Sequence, residues 1–178
     1  NAESFAGCLA NAVEIGGDRI TPETISICER SLAAYPFKDL QGRTRLKQGC
    51  RLTFINHDLK DGNVFLPRDP SRDPVYIIDW AFWTIGIGTD DLANFGLVGF
   101  CADAGLTRRL VRRYHDRLVQ SGVQDYTWDD CWHDYRLSTI RNLFIVLNSF
   151  RDREYSWSNL QRVLSSFKDL DCDELLNA

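Results

Sequence analysis

The sequence predicts a mainly α fold with a small β-hairpin patch in its middle, an α+β arrangement. Apolar residues recur at helical spacing up to residue 35 and again beyond residue 105. Between them lie short runs rich in β-branched and aromatic residues, bounded by turn residues. Three prolines fall within the eight residues Pro67–Pro74, so that stretch is an exposed loop joining two strands. At 178 residues, 44% hydrophobic and 26% charged, the chain has a globular composition that excludes disorder and collagen-like repeats. It is long enough to bury a core without metal or disulfide staples.

The elements follow in order. Phe5–Ile15 reads as a helix ending at the Gly16-Gly17 break. Thr21-Pro22-Glu23 starts a second: a capping hydroxyl, Pro at the first helical position and an acid in the first turn. Ile25, Cys28, Leu32 and Tyr35 continue it, and Pro36 stops it. Arg51–Ile55, Asn63–Leu66 and Val75–Asp79 read as strands. After Gly88 the helical period returns, with Leu106, Leu110, Tyr114 and Leu118 as one apolar stripe ended by Gly122. Thr127 caps the next helix, whose inner face carries Trp132, Tyr135, Ile140, Leu143, Phe144 and Leu147. A last helix covers Ser158–Phe167.

Several function classes recede on composition. A net charge of −4 argues against non-specific nucleic-acid binding. There is no membrane-length apolar run and no charged-then-apolar leader. The six cysteines, Cys8, Cys28, Cys50, Cys101, Cys131 and Cys172, are scattered without a C-x-x-C pair, and read as buried reduced thiols of a cytoplasmic protein. No Met occurs anywhere, position 1 included, so the chain reads as processed or excised from something longer.

The chemistry concentrates in Asn56-His57-Asp58-Leu59-Lys60-Asp61-Gly62-Asn63-Val64-Phe65-Leu66 and Val75-Tyr76-Ile77-Ile78-Asp79-Trp80. Asp58 follows an apolar strand, Asn63 opens the next, and Asp79 ends a third. Oxygen-bearing side chains at strand ends are held by backbone yet open to ligand. A carboxylate with an amide carbonyl is a hard-oxygen pair suited to Mg²⁺, and a further carboxylate can accept a hydroxyl proton.

This arrangement resembles the kinase-like small-molecule phosphotransferases, the aminoglycoside phosphotransferase and choline kinase superfamily. Asp58-Leu59-Lys60-Asp61-Gly62-Asn63 matches its D-x-x-x-x-N motif, Ile78-Asp79-Trp80 its I-D-W/F motif, and Gly88-Thr89-Asp90-Asp91-Leu92-Ala93 its G-x-x-D-L-A segment. The three stand in family order over Arg51–Phe95. The resemblance implies a protein-kinase-like C-terminal lobe, with residues 1–50 as leading helices, 51–95 as catalytic loop and metal-binding strands, and 96–178 as the helical acceptor region. It implies Asp58 as the base, Asn63 and Asp79 as Mg²⁺ ligands, and ATP as donor. Lys60 is a candidate phosphate contact, and His57 and Asp91 support the loop. The family His two residues before the base is replaced by Asn56, which puts the loop geometry at issue.

An acidic, aromatic wall suits a cationic acceptor of aminoglycoside or choline type. Tyr126, Trp128, Asp129, Asp130, Trp132, Asp134, Tyr135, Tyr155 and Trp157 supply the residues, with Trp128, Asp130, Trp132 and Asp134 foremost. Arg108, Arg109, Arg112, Arg113 and Arg117 read as a solvated flank. Cys131 and His133, two apart on a helix, do not read as a metal pair, and Gly86-Ile87-Gly88 lacks the remainder of a nucleotide loop. Nothing before Asp58 resembles the N-terminal β lobe that grips ATP in the family. The chain alone is therefore expected to be inactive, to bind Mg-ATP only weakly, and to expose an apolar patch through which it self-associates. The alternative reading is a non-catalytic kinase-like binding module.

Overall fold

A computed structural model describes residues 2–34, 42–99, 103–151 and 154–176. Tyr35, Pro36 and Cys101 of the sequence reading lie outside these residues. Two helices open the chain, α1 (Ala2–Gly16) and α2 (Pro22–Ala34), followed by the short α3 (Gly42–Gln48). Thr21 caps α2 as its hydroxyl accepts from Thr24 N at 3.2 Å. Four short strands follow: β1 (Thr53–Ile55), β2 (Val64–Phe65), β3 (Tyr76–Ile77) and β4 (Thr84–Gly86). The rest is helical: α4 (Gly88–Gly99), α5 (Ala104–Gln120), α6 (Trp128–Asn148) and α7 (Glu154–Asp169).

The helix α6 is the hub. Thr127 starts it with a capping box: its hydroxyl accepts from Asp130 N while the Asp130 carboxylate accepts from Thr127 N. In its second half Ile140, Leu143, Phe144, Val146 and Leu147 are all buried. These positions run round the helix, which therefore needs neighbours on several sides. It packs chiefly on α4 and α7, and also on α1 and α5. Burying each such side chain stabilises the fold by about 1.5–3 kcal/mol.

The strands form two separate antiparallel pairs. In β1·β4, Phe54 faces Ile85, and in β2·β3, Val64 faces Ile77. The Pro67–Pro74 loop is largely exposed and joins β2 to β3, as expected. Several sequence expectations need correction. The strand β4 was unanticipated, because Thr84-Ile85-Gly86 is too short to alternate and pairs with a segment far back in the chain. The buried stripe of α5 is Thr107, Val111 and His115, whereas Leu110 is exposed. On this buried face His115 meets the Tyr126 carbonyl at 2.9 Å.

Of the described cysteines, Cys28, Cys131 and Cys172 are buried and free, and Cys50 is exposed, which corrects the uniform buried-thiol expectation. Burial pushes the Cys28 and Cys131 thiols up to about 11 and Cys172 up to about 12. No described helix is long and apolar enough to cross a membrane. Exposed large apolar residues concentrate on the strands and the turn before β4, among them Phe54, Phe65, Tyr76, Trp80, Phe82 and Trp83.

Candidate active site

The site is assembled where β1 runs out against the start of α4. Ile55 and Asn56 are buried, and the chain then turns sharply, with His57 in the left-handed region at φ 67°. Asp91, in the first turn of α4, grips this turn from below. Its two carboxylate oxygens accept from Asn56 N at 2.6 Å and from His57 N at 2.8 Å. Such bonds to an ionised acceptor are among the stronger ones in proteins.

Asn56 ties the loop to the segment that follows β3, where Asp79 lies two residues past the strand and not at its end as expected. Its Oδ1 accepts from Asp58 N at 3.1 Å, while Nδ2 donates to the carbonyls of Asp79 at 3.0 Å and Ile78 at 3.3 Å. The residue that departs from the resembling family's pattern thus bridges two of its motifs. Asn63 closes the other side: Nδ2 donates to the Asp58 carbonyl at 2.9 Å, and its own carbonyl accepts from Ile78 N at 3.0 Å. Asn94, from α4, donates to the Leu59 carbonyl at 3.3 Å. Asp58, Asn63 and Asp79 are thereby linked through one continuous set of hydrogen bonds.

The free oxygens of this set define its chemistry. Asn63 commits its amide nitrogen to the loop, and its Oδ1 accepts no hydrogen bond from the described residues. Asp79 has φ 55°, is exposed, and its carboxylate has no partner among them. Five non-glycine residues among those described have positive φ. Two of them, His57 and Asp79, flank this one site, where the backbone turns sharply on either side of the hydrogen-bonded set. Asp58 pairs through Oδ2 with Lys60 Nζ at 2.6 Å. An amide oxygen and an exposed carboxylate fit Mg²⁺, which takes one or two protein oxygens and keeps waters or phosphate in its other positions. No cluster of three or more His, Cys, Asp or Glu residues suited to a metal occurs among the described residues.

Behind the loop, Asp90 lies between α4 and α6. It accepts from Ser138 Oγ at 2.8 Å and pairs with Arg141, whose other nitrogen meets His57 Nε2. Burial pushes the Asp90 carboxyl above the usual range, against the pull of Arg141 and Ser138. Burial and the Arg141 charge hold the His57 imidazole below its ordinary value, while Asp90, Asp91 and Asp58 pull the other way.

The residues expected to wall an acceptor are not brought to this loop. Asp134 is fully buried and held bidentate by Arg45, both contacts at 2.7 Å, with the Tyr126 hydroxyl donating at 2.9 Å. Asp130 caps α6 and pairs with Arg51 at 2.8 Å. Trp128 and Trp132 stack with centroids 5.6 Å apart, and Arg112 and Arg108 lie over their faces at 4.8 and 4.9 Å. These arginines therefore cover aromatic surface and are more than a solvated flank. Trp157 is core, edge-on to Phe150; the Tyr155 side chain lies outside the described atoms. A cleft of about 720 Å³ beside β1 is lined by Arg45, Arg51, Tyr114 and Tyr126 among others, but by none of Asp58, Asn63 and Asp79.

Asn56, Asp90, Asn94 and Arg141 were not singled out as site residues from the sequence. For Asn56 the signal was the missing family His. Arg141 carries no local signal, because it reaches the loop only once α6 is packed. No family model, no curated protein and no solved structure matches this chain.

Proposed function

We propose that the chain carries the catalytic half of a phosphotransferase that moves the γ-phosphoryl group of ATP to a hydroxyl of a small molecule. The observation that supports this most is the coupling of Asp58, Asn63 and Asp79. Asn56 hydrogen-bonds the backbone of both Asp58 and Asp79, and Asn63 the backbone of Asp58. In this reading Asp58 accepts the proton of the acceptor hydroxyl, and Asn63 Oδ1 and the Asp79 carboxylate hold Mg²⁺. The cation supplies charge neutralisation on the phosphate oxygens, and the rest is positioning. In the same reading Lys60, bonded to Asp58 at 2.6 Å, contacts the transferred phosphate. In this reading the acceptor is held by groups other than Asp134 and Trp132, because these are already engaged by Arg45 and Arg108.

The test is ATP consumption by the full-length gene product against a panel of hydroxyl compounds, with and without Mg²⁺. Asp58→Asn serves as the control. Transfer that requires Mg²⁺ and falls by orders of magnitude in the variant is the expected result. Near-normal turnover in Asp58→Asn, or none with any acceptor in the native protein, would count against the reading.

A further inference from the structure

Arg141 approaches the loop from the middle of α6, and the chemistry of its two contacts is asymmetric. One guanidinium nitrogen meets the Asp90 carboxylate and the other meets His57 Nε2. A guanidinium only donates, so His57 Nε2 offers its lone pair and the ring proton sits on Nδ1. A doubly protonated ring would lose this bond and face a second positive charge. Nδ1 has no partner among the described residues, and His57 keeps part of its surface in solvent. Three residues before Arg141 on the same face of α6, Ser138 Oγ donates to the other Asp90 oxygen. The helix therefore holds Asp90 at two points and His57 at one, and the His57 backbone is the left-handed turn that delivers Asp58.

We propose that Arg141 is a positioning residue for Asp58: it clamps the neutral, Nδ1-protonated ring of His57 to α6, and so maintains the turn that sets Asp58 against Asn63 and Asp79. The effect on catalysis rests on the phosphotransferase reading; the clamp itself does not. Asp91 secures the backbone amides of this turn from α4, and Arg141 secures its side chain from α6. Two helices packed on each other thus hold one loop, α4 through its backbone and α6 through a side chain, and the loop's geometry inherits the rigidity of the α4–α6 contact.

The experiment begins with long-range proton–nitrogen correlation spectra of the ¹⁵N-labelled chain at neutral pH. Nδ1 should be protonated and Nε2 bare. In Arg141→Met the ring should lose that bias, and amide exchange at Asn56, His57 and Asp58 should speed up about tenfold or more. Exchange at Ile140 and Leu143 should not change, and Arg141→Lys should recover part of the protection. A protonated Nε2 in the native chain, or unchanged loop exchange in Arg141→Met, would overturn the proposal. If Arg141→Met does not fold because Asp90 loses its counter-charge, His57→Phe removes the acceptor and leaves Asp90 paired, and the same exchange readout decides. In the full-length protein Arg141→Met should lower kcat about tenfold with KM for ATP nearly unchanged. Transfer with a normal kcat in that variant would overturn the proposal alone. The expected tautomer and exchange pattern in a protein that transfers nothing would overturn only the phosphotransferase reading.

Discussion

Replacing Asp91 by Asn isolates the brace beneath the loop. The native carboxylate accepts from two adjacent backbone amides, at 2.6 and 2.8 Å. An Asn carries one acceptor oxygen, so one amide keeps a neutral partner and the other faces an NH₂ group. The lost charge-assisted bond is worth about 1.5–3 kcal/mol, and the remaining one weakens to about 0.5–1.5 kcal/mol. Removing a negative charge from the first turn of α4 costs a further 0.3–1 kcal/mol or so. The expected destabilisation is about 3–5 kcal/mol. For a domain of this size that lowers Tm by roughly 6–20 °C. Urea unfolding measures the global part, and amide exchange at Asn56 and His57 measures local opening of the loop. A loss below about 0.5 kcal/mol together with unchanged exchange at both amides would refute the claim that Asp91 holds the turn.

Asp79→Ala should weaken Mg²⁺-dependent nucleotide binding more than Asn63→Ala, since a carboxylate supplies charge and an amide does not; equal loss in a titration of both would place the ligands elsewhere. Only Asn63→Ala should also destabilise the fold, by about 1–3 kcal/mol, because it strips the Asp58 carbonyl of its 2.9 Å donor. Arg45→Met should cost about 3–5 kcal/mol by leaving the Asp134 carboxylate buried and without its guanidinium, and a second change, Asp134→Leu, should recover most of it; a neutral Arg45→Met in urea unfolding would return Asp134 to the list of free acids. Stability should fall as pH drops below the ordinary imidazole value of 6.5, because the unfolded chain then binds a proton that His57 resists until a lower pH. Neutral His57 thus contributes fully above 6.5, and its contribution is lost on the way down. Asp90 acts with the opposite sign, its raised carboxyl stabilising the fold at low pH and losing that contribution as pH rises; urea midpoints across pH 5–7 for the native chain and His57→Phe check the imidazole part, which should vanish in the variant.

The helices were legible because their signals are local. The Thr21 and Thr127 caps, the Gly16-Gly17 break and the period of α6 all lie within a few residues of the elements they define. The loop between β2 and β3 was legible for the same reason, since Pro fixes its own backbone wherever it occurs. What failed was pairing between distant segments. The sequence does not announce that Thr84-Ile85-Gly86 closes on Thr53-Phe54-Ile55, because the pairing depends on α4 starting where it does. Tight packing at that corner accounts for the glycines better than a nucleotide loop would: a Cβ at Gly86 would run into the Ile55 side chain, and one at Gly88 into the Tyr114 hydroxyl. The α5 stripe was misjudged for a similar reason. Leu110 and Val111 are equally apolar, and nothing local in the sequence tells that Val111 is buried and Leu110 exposed.

The same distinction separates the part of the site that could be read from the part that could not. Asp58, Asn63 and Asp79 stand close in sequence and are tied together by hydrogen bonds to the backbone within residues 56–79, so the Asn63 and Asp79 side-chain oxygens have no partner among the described residues, while the Asp58 carboxylate meets only its near neighbours Lys60 and Asn63. Asp134 looked equally available from its surroundings, an acid between aromatics on a helix. Its partner, Arg45, comes from a helix 89 residues earlier. Burial without that guanidinium would be prohibitive, and with it the carboxylate is lost to any cationic ligand. An acid's chemistry is therefore set less by its neighbours in sequence than by whether a distant cation reaches it first. In this chain distant arginines reach Asp134, Asp130 and Asp90, Arg45 and Arg141 from helices and Arg51 from the segment before β1, and among the described residues none reaches Asp79, whose exposed carboxylate is left as a candidate metal ligand.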